Sequence, residues 1–235
     1  MESLEDRVIA VAGASGNLGP TVVRRLASCG AVLALGGRDK DPLDALAENL
    51  EVEADTASAD LLDADSARSW AEGIANRHGR LDGLVHLVGG WRGGKPIEEA
   101  PLEDWDFLHG LLVRTVQHAT QAFAPPLLES GRGRFVIVSS SQGQKPTHTN
   151  AAYAAAKAAA EAWTLALADR FRGSGATANV IVVGSILTPE MLDDSPDKDY
   201  SAFTPAEEIA DAVAYLCSDA AASMNGQRLT LRGGA

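Results

Sequence analysis

Cysteine is nearly missing: Cys29 and Cys217 are the two in 235 residues. Thiols so few and so far apart make neither a disulfide framework nor a thiolate metal site. They read as small buried side chains on helices in a reducing compartment. Positive charge is also short, with 20 Lys and Arg against 32 Asp and Glu and a net charge of −12. No basic stripe interrupts that balance, which argues against nucleic-acid phosphates as a partner and for a well-solvated acidic surface. No apolar run reaches transmembrane length, and the polar start Met1-Glu2-Ser3-Leu4-Glu5-Asp6-Arg7 lacks the pattern of a signal peptide. The expectation is a cytoplasmic protein with no membrane partner. His109 and His118 fall on one expected helix without His or Cys partners at ligand spacing, so no metal site is expected. No Pro/Ser-rich linker, low-complexity tract or repeat divides the chain.

What is present is a steady alternation of strand-like and helix-like runs with short connections, which predicts one α/β domain over residues 1–235. Its first unit is Arg7-Val8-Ile9-Ala10-Val11-Ala12, then Gly13-Ala14-Ser15-Gly16-Asn17-Leu18-Gly19, then a helix whose apolar residues recur at helical spacing. A buried strand feeding a Gly-rich turn and a helix start suits a nucleotide phosphate, because glycines let the backbone approach and the helix offers free N–H groups. Tight turns use glycine for other reasons too, so the placement between strand and helix carries this argument. Further along, Tyr153 and Lys157 stand four residues apart on an Ala-rich helix, which puts phenol and ammonium on one face. A nearby cation favours the phenolate and is expected to lower the Tyr153 pKa. Ser140 closes the apolar run Phe135-Val136-Ile137-Val138 and offers a hydroxyl for a substrate oxygen. No Gly-x-Ser-x-Gly elbow surrounds Ser139, Ser140 or Ser141, which argues against a hydrolase despite His148.

These pieces, in order and at these spacings, resemble the short-chain dehydrogenase/reductase family from end to end. The matching segments are Ala12–Gly19, Ala59-Asp60-Leu61, Ser140 with Tyr153 and Lys157, Val183–Pro189, and Gly226-Gln227-Arg228-Leu229 with Gly233-Gly234. The resemblance implies a Rossmann-type, doubly wound parallel sheet flanked by helices. It implies a cofactor held by Gly13, Ser15, Asn17, Leu18 and Gly19 at the turn, by Asp60 and Leu61 at the adenine, and by Val88 and Gly89 after the fourth strand. Gly184, Ile186 and Thr188 complete that set, with Ile186 and Thr188 at the carboxamide. Tyr153 is then the acid/base, Lys157 lowers its pKa and holds the ribose, and Ser140 orients the substrate oxygen. Gly37 offers no carboxylate to a ribose, whereas Arg38 offers a planar donor for phosphate, which favours NADP(H) over NAD(H). The alternative for Arg38 is an exposed turn residue; for Asp60 it is a helix N-terminal residue, with Asp63 or Asp65 as the cap.

The departures from the family are specific. Asn17 replaces a family Gly, and Asn tolerates positive φ. His86 stands where the family has Asn, and Val183 where it has Pro. Leu112 stands where a fourth catalytic residue, an Asn linking the Lys to a water chain, is expected. Gly89–Gly94 and the segment from Thr188 to Pro205 resemble the dihydropteridine reductase branch, so reduction of a cyclic conjugated substrate is one alternative. A non-redox elimination or cyclisation enzyme and a dinucleotide-binding regulator are others. Trp91 is a candidate for stacking on a substrate ring or for covering its own loop. Helices over 105–130 (with Pro125-Pro126 expected to kink or stop the first) and 151–171 are expected to carry a homo-oligomer, a dimer or tetramer. An acidic mobile lid is expected over 190–203.

Overall fold

The structure is a computed structural model that describes residues 3–233. Gly234, the second glycine of the closing pair, lies outside the described residues.

The first strand, β1 (Val8–Ala12), is buried along its whole length. An unbroken apolar run of this kind marks a parallel strand covered on both faces. Ile9 and Val11 pack into one helical layer, with α1 (Gly19–Ser28) and α8 (Ala206–Cys217). Val8, Ala10 and Ala12 pack into the other, with α3 (Ala64–His78), α5 (Thr115–Glu129) and α6 (Ala151–Arg170). The remaining strands of the sheet are β2 (Val32–Gly37), β3 (Ala54–Ser58), β4 (Gly83–His86), β5 (Arg134–Ser140), β6 (Thr177–Val183) and β9 (Arg228–Thr230). Their order is β3-β2-β1-β4-β5-β6-β9, all pairs parallel. The order reverses between β1 and β4, and a crevice opens there at the carboxyl ends of the strands. β7 (Ser185–Leu187) and β8 (Phe203–Pro205) pair in a small separate sheet. α2 (Asp41–Ala47) precedes β3.

Local chemistry explains several boundaries. Asp63 caps α3, its carboxylate accepting from the Asp65 and Ser66 N–H groups, as an N-cap aspartate does. β4 ends at His86, where the chain leaves the sheet at the crevice; Leu87 N still donates to Ala12 O at 2.9 Å. The expected helix over 105–130 begins earlier, as α4 (Leu102–Leu108), and runs into α5 through a π-helical turn, His109–Arg114. Pro125 and Pro126 do not end it. Phe123 and Leu127, fully buried on either side of the pair, hold its last turn to the sheet. The acidic segment expected as a lid is folded on itself: α7 (Pro189–Asp194) receives a hydrogen bond from Tyr200 Oη to Met191 O at 2.8 Å.

The amino end of the sheet is tied by charge. Asp82 is fully buried and accepts from Val8 N at 3.1 Å, Arg80 at 2.7 Å, Ser130 Oγ at 2.5 Å and Arg132 Nε at 3.3 Å. Burial alone would raise its pKa, but the hydrogen bonds from Arg80, Ser130 and Val8 outweigh it and hold the carboxyl low.

Candidate active site

The Gly-rich turn joins β1 to α1 at the crevice. Gly13 has φ +77°, and a side chain there would meet Val88 N at 3.0 Å, so both conformation and space require glycine. Gly19 has no room for a methyl group, which would fall 2.1 Å from Ala14 O. Asn17 does not adopt positive φ. The turn therefore tolerates Asn at this position because no left-handed residue is needed there, and not through the special tolerance of Asn. α1 starts without a side-chain cap; Gly19 N is taken by Gly16 O and Pro20 has no N–H, and among the described residues Asn17 N, Leu18 N and Thr21 N are without a backbone partner and available to an anion.

From this turn a cleft of about 1020 Å³ extends in both directions. Of the residues expected at the site, Gly13, Ser15, Asn17, Leu18, Gly19, Arg38, Asp60, Leu61, Val88, Gly89, Ser140, Tyr153, Lys157, Gly184 and Ile186 all line it. Thr188 does not. It is buried at the start of α7, as the residue that precedes Pro189. A cradle of two glycines with no space for Cβ, unpartnered N–H groups at Asn17, Leu18 and Thr21, and a long groove on either side fits a dinucleotide.

At one end of the groove Arg38 is exposed and Asp60 Oδ1 accepts from Leu62 N at 2.9 Å. The loop is backed by His118, whose Nδ1 lies 2.9 Å from Leu61 O. Trp70 also lines this end, under Gly36, where an added Cβ would fall 2.4 Å from the ring. Sequence reading missed Trp70, because on α3 it follows the same spacing as ordinary core residues.

At the other end β5 delivers Ser140 and α6 delivers Tyr153 and Lys157. Burial, the largest influence, raises the Tyr153 phenol pKa, while the nearby Ser140 hydroxyl, which accepts from Gln142 N at 3.2 Å, works against the rise. The expected lowering by Lys157 is not what this geometry produces. Lys157 Nζ donates to Val138 O at 2.9 Å and lies 5.8 Å from the centre of the Tyr153 ring. Burial pushes the Lys157 amine down to about 8, with Glu161 one turn along α6 opposing the shift. Glu161 is itself buried and bonded by Ser139 Oγ and Arg228 Nε, each at 2.6 Å. Ser139 is thus a buried partner of α6 rather than a turn residue.

Leu112 sits in the π turn, buried among Leu108, Val113 and Ala156 with Tyr153 against the cluster. His86, at the end of β4, is 3 % exposed, and burial pushes its imidazole down to about 4, with Lys157 adding to the effect. Toward the mouth, Trp91 is 56 % exposed yet lines the cleft, and its ring lies over Gly93. Arg92 is placed over the Phe107 ring at 3.6 Å and beside Asp104, so it faces its own surface. Leu111, Thr115 and Gln142 also line this end; no spacing rule marks them in the sequence.

Comparison with known proteins follows the same outline. The sequence model described as enoyl-(acyl carrier protein) reductase matches residues 13–235. A 3-oxoacyl-[acyl-carrier-protein] reductase of Thermotoga maritima is 29 % identical, covering 98 % of each chain. A gluconate 5-dehydrogenase of Gluconobacter oxydans is 32 % identical over 95 % of this chain and 92 % of its own. A short-chain type dehydrogenase/reductase of Mycobacterium ulcerans superposes with a TM-score of 0.91 at 26 % identity, covering 99 % of this chain and 90 % of that one. With a Gly-rich turn between its first strand and helix, a long cleft, and a serine, tyrosine and lysine at the end of that cleft, the chain belongs to the short-chain dehydrogenase/reductase family of nicotinamide-dependent oxidoreductases.

Proposed function

We propose that this chain is a cytoplasmic NADP(H)-dependent enzyme that interconverts a carbonyl and an alcohol, with residues 1–235 as one cofactor-binding domain. The observation that carries the reading is the meeting of Ser140, Tyr153 and Lys157 at one end of the same cleft whose middle is the Gly13–Gly19 turn. Ser15 Oγ would lie 3.4 Å from a Cβ at Gly37, and Arg38 is exposed beside it. A hydroxyl and a guanidinium at the end of β2, with no carboxylate at Gly37, suit a ribose phosphate and favour NADP(H) over NAD(H).

When bound, the nicotinamide supplies or accepts the hydride. The chain's own residues handle the proton and the oxygen. Tyr153, held protonated by burial, gives its phenolic proton to the oxygen of a carbonyl substrate, and the Ser140 hydroxyl holds that oxygen beside it. Lys157, half-buried on the same helix face with its amine 5.8 Å from the centre of the Tyr153 ring, would hold the cofactor ribose. The protonated phenol is the donor that the reduction direction requires. The relatives named as a reductase and as dehydrogenases support this class of substrate. The exposed apolar side chains Leu102, Trp105, Phe107 and Trp163 on α4 and α6 support a dimer or tetramer through these helices.

Parallel titrations with NADPH and NADH test the cofactor. Tighter binding of NADPH is expected; preference for NADH overturns the Arg38 reading, and binding of neither overturns the oxidoreductase reading. In a screen of ketones under NADPH oxidation, Tyr153→Phe should lower turnover by about 10²–10⁴-fold while leaving NADPH affinity nearly unchanged. Undiminished turnover would remove Tyr153 from the mechanism.

A further inference from the structure

Near Tyr153 two polar groups have bonding capacity to spare, half-buried Lys157 and buried His86. Lys157 carries an ammonium with three donors, and one of them goes to Val138 O at 2.9 Å. His86 Nε2 is buried, and among the described residues no group is within hydrogen-bond distance of it. A buried polar atom left in this way is costly, and a protein retains one where it has a use for it. With the single proton of the neutral ring on Nδ1, Nε2 carries the lone pair and is an acceptor.

The fold brings these two groups together. In β4, His86 shares its sheet face with Leu84, which packs in the layer of α3, α5 and α6. Lys157 reaches down from α6 to the end of β5, the neighbour of β4 in the sheet. Its charge is felt by the imidazole. The register partners of His86 are Ala12 on β1 and Ile137 on β5. The buried residues of the helical rod at this level are Leu112, Thr115 and Val116. None of these can ionise, which leaves Lys157 as the charged group that acts on His86, with Glu161 one turn beyond it.

We propose that His86 is a positioning residue for Lys157: its Nε2 accepts a hydrogen bond from the ammonium through one bridging water, and so holds the amine charged and aimed at the cleft where Leu112 offers no polar contact. The imidazole is suited to this because burial keeps it neutral down to about pH 4. A neutral acceptor stabilises the ammonium, whereas a protonated ring would repel it. The inference rests on the reading of Tyr153 and Lys157 as the acid/base pair, but its test needs neither substrate nor cofactor.

The Lys157 pKa is measured by competitive acetic-anhydride labelling across pH with mass spectrometry, in the unaltered protein, His86→Leu and His86→Asn. Loss of one hydrogen bond to a charged group should lower the Lys157 titration by about one pH unit in His86→Leu. His86→Asn, which restores an acceptor, should recover most of it. A Lys157 titration that is the same in all three overturns the proposal and leaves His86 as packing. Should His86→Leu not fold, ¹⁵N imidazole spectra of the unaltered protein decide. The Nε2 signal should move as Lys157 loses its proton near pH 8, and a signal that stays flat there overturns the proposal. NADPH titration of the same samples is a separate readout. If no sample binds NADPH while the Lys157 shift is present, the functional reading fails and the coupling of the two residues stands.

Discussion

A buried imidazole has a cost that depends on pH, and at His86 its sign is fixed. The unfolded ring takes up a proton near pH 6.5, whereas the folded ring resists until about 4. Between those values the unfolded state binds more protons, so stability falls as pH falls through that window. Over the full window the loss amounts to roughly 3 kcal/mol. Urea titrations between pH 7 and pH 4 should show it, and His86→Asn should flatten that part of the curve; an equal slope in both proteins would mean other groups carry it. Asp82 gives a second residue-scale prediction. Asp82→Asn leaves the Arg80 and Arg132 guanidiniums without their buried counter-ion and should cost about 3–5 kcal/mol. The loss would appear as a lower unfolding midpoint, with NADPH affinity intact in the protein that remains folded, because Asp82 lies at the opposite end of the sheet from the cleft. The residue types at the site were legible from the motifs together with the family they resemble, and their electrostatics were not. Nothing in Tyr-x-x-x-Lys says that Lys157 Nζ turns to Val138 O, or that burial dominates at Tyr153. Thr188, which follows β7 and precedes α7, is buried and does not line the cleft, and a short motif carries no direction.

Among the elements, the turn between β1 and α1 has the least freedom. Gly19→Ala would place a methyl group 2.1 Å from Ala14 O, so the turn must open or the helix must shift. We expect folding to survive with a penalty of about 1–3 kcal/mol and NADPH binding to fall by at least about tenfold. Wild-type affinity in that variant would show that the turn is not where the phosphates sit. The strands and most helices could be read from the sequence because parallel strands covered on both faces are unbroken apolar runs, and α3 and α8 carry plain amphipathic spacing. The π turn at His109–Arg114 could not. Its residues have ordinary helical preferences, and the extra residue it accommodates is dictated by packing of Leu112 and Val113 against α6. The proline pair near the end of α5 misled in the opposite sense, since its local penalty is outweighed by Phe123 and Leu127 in the core.

For the whole molecule, the acidic surface and the apolar helix faces make separate demands. A net charge of −12 keeps copies apart, while Leu102, Trp105 and Trp163 lie exposed on α4 and α6. Sedimentation velocity should find a dimer or tetramer at moderate salt, and Trp163→Asp should shift it to the monomer; a monomer in the unaltered protein would overturn the proposed assembly. The long rod formed by α4, the π turn and α5 bears on both the cleft and that surface. It runs from Leu102 to Glu129, roughly 40 Å at the rise of a helix. A π turn holds one residue more than the same stretch of α-helix needs. Deleting a single residue within His109–Arg114 would therefore heal the helix instead of breaking it. The cost would be geometric: everything before the deletion would swing by about 100° around the axis relative to everything after it. Leu111 would leave the cleft and the Trp105 face would turn away from its present direction in one movement. Active-site shape and the surface offered to a second copy are thus set by the same supernumerary residue, and a length change of one there would alter both together.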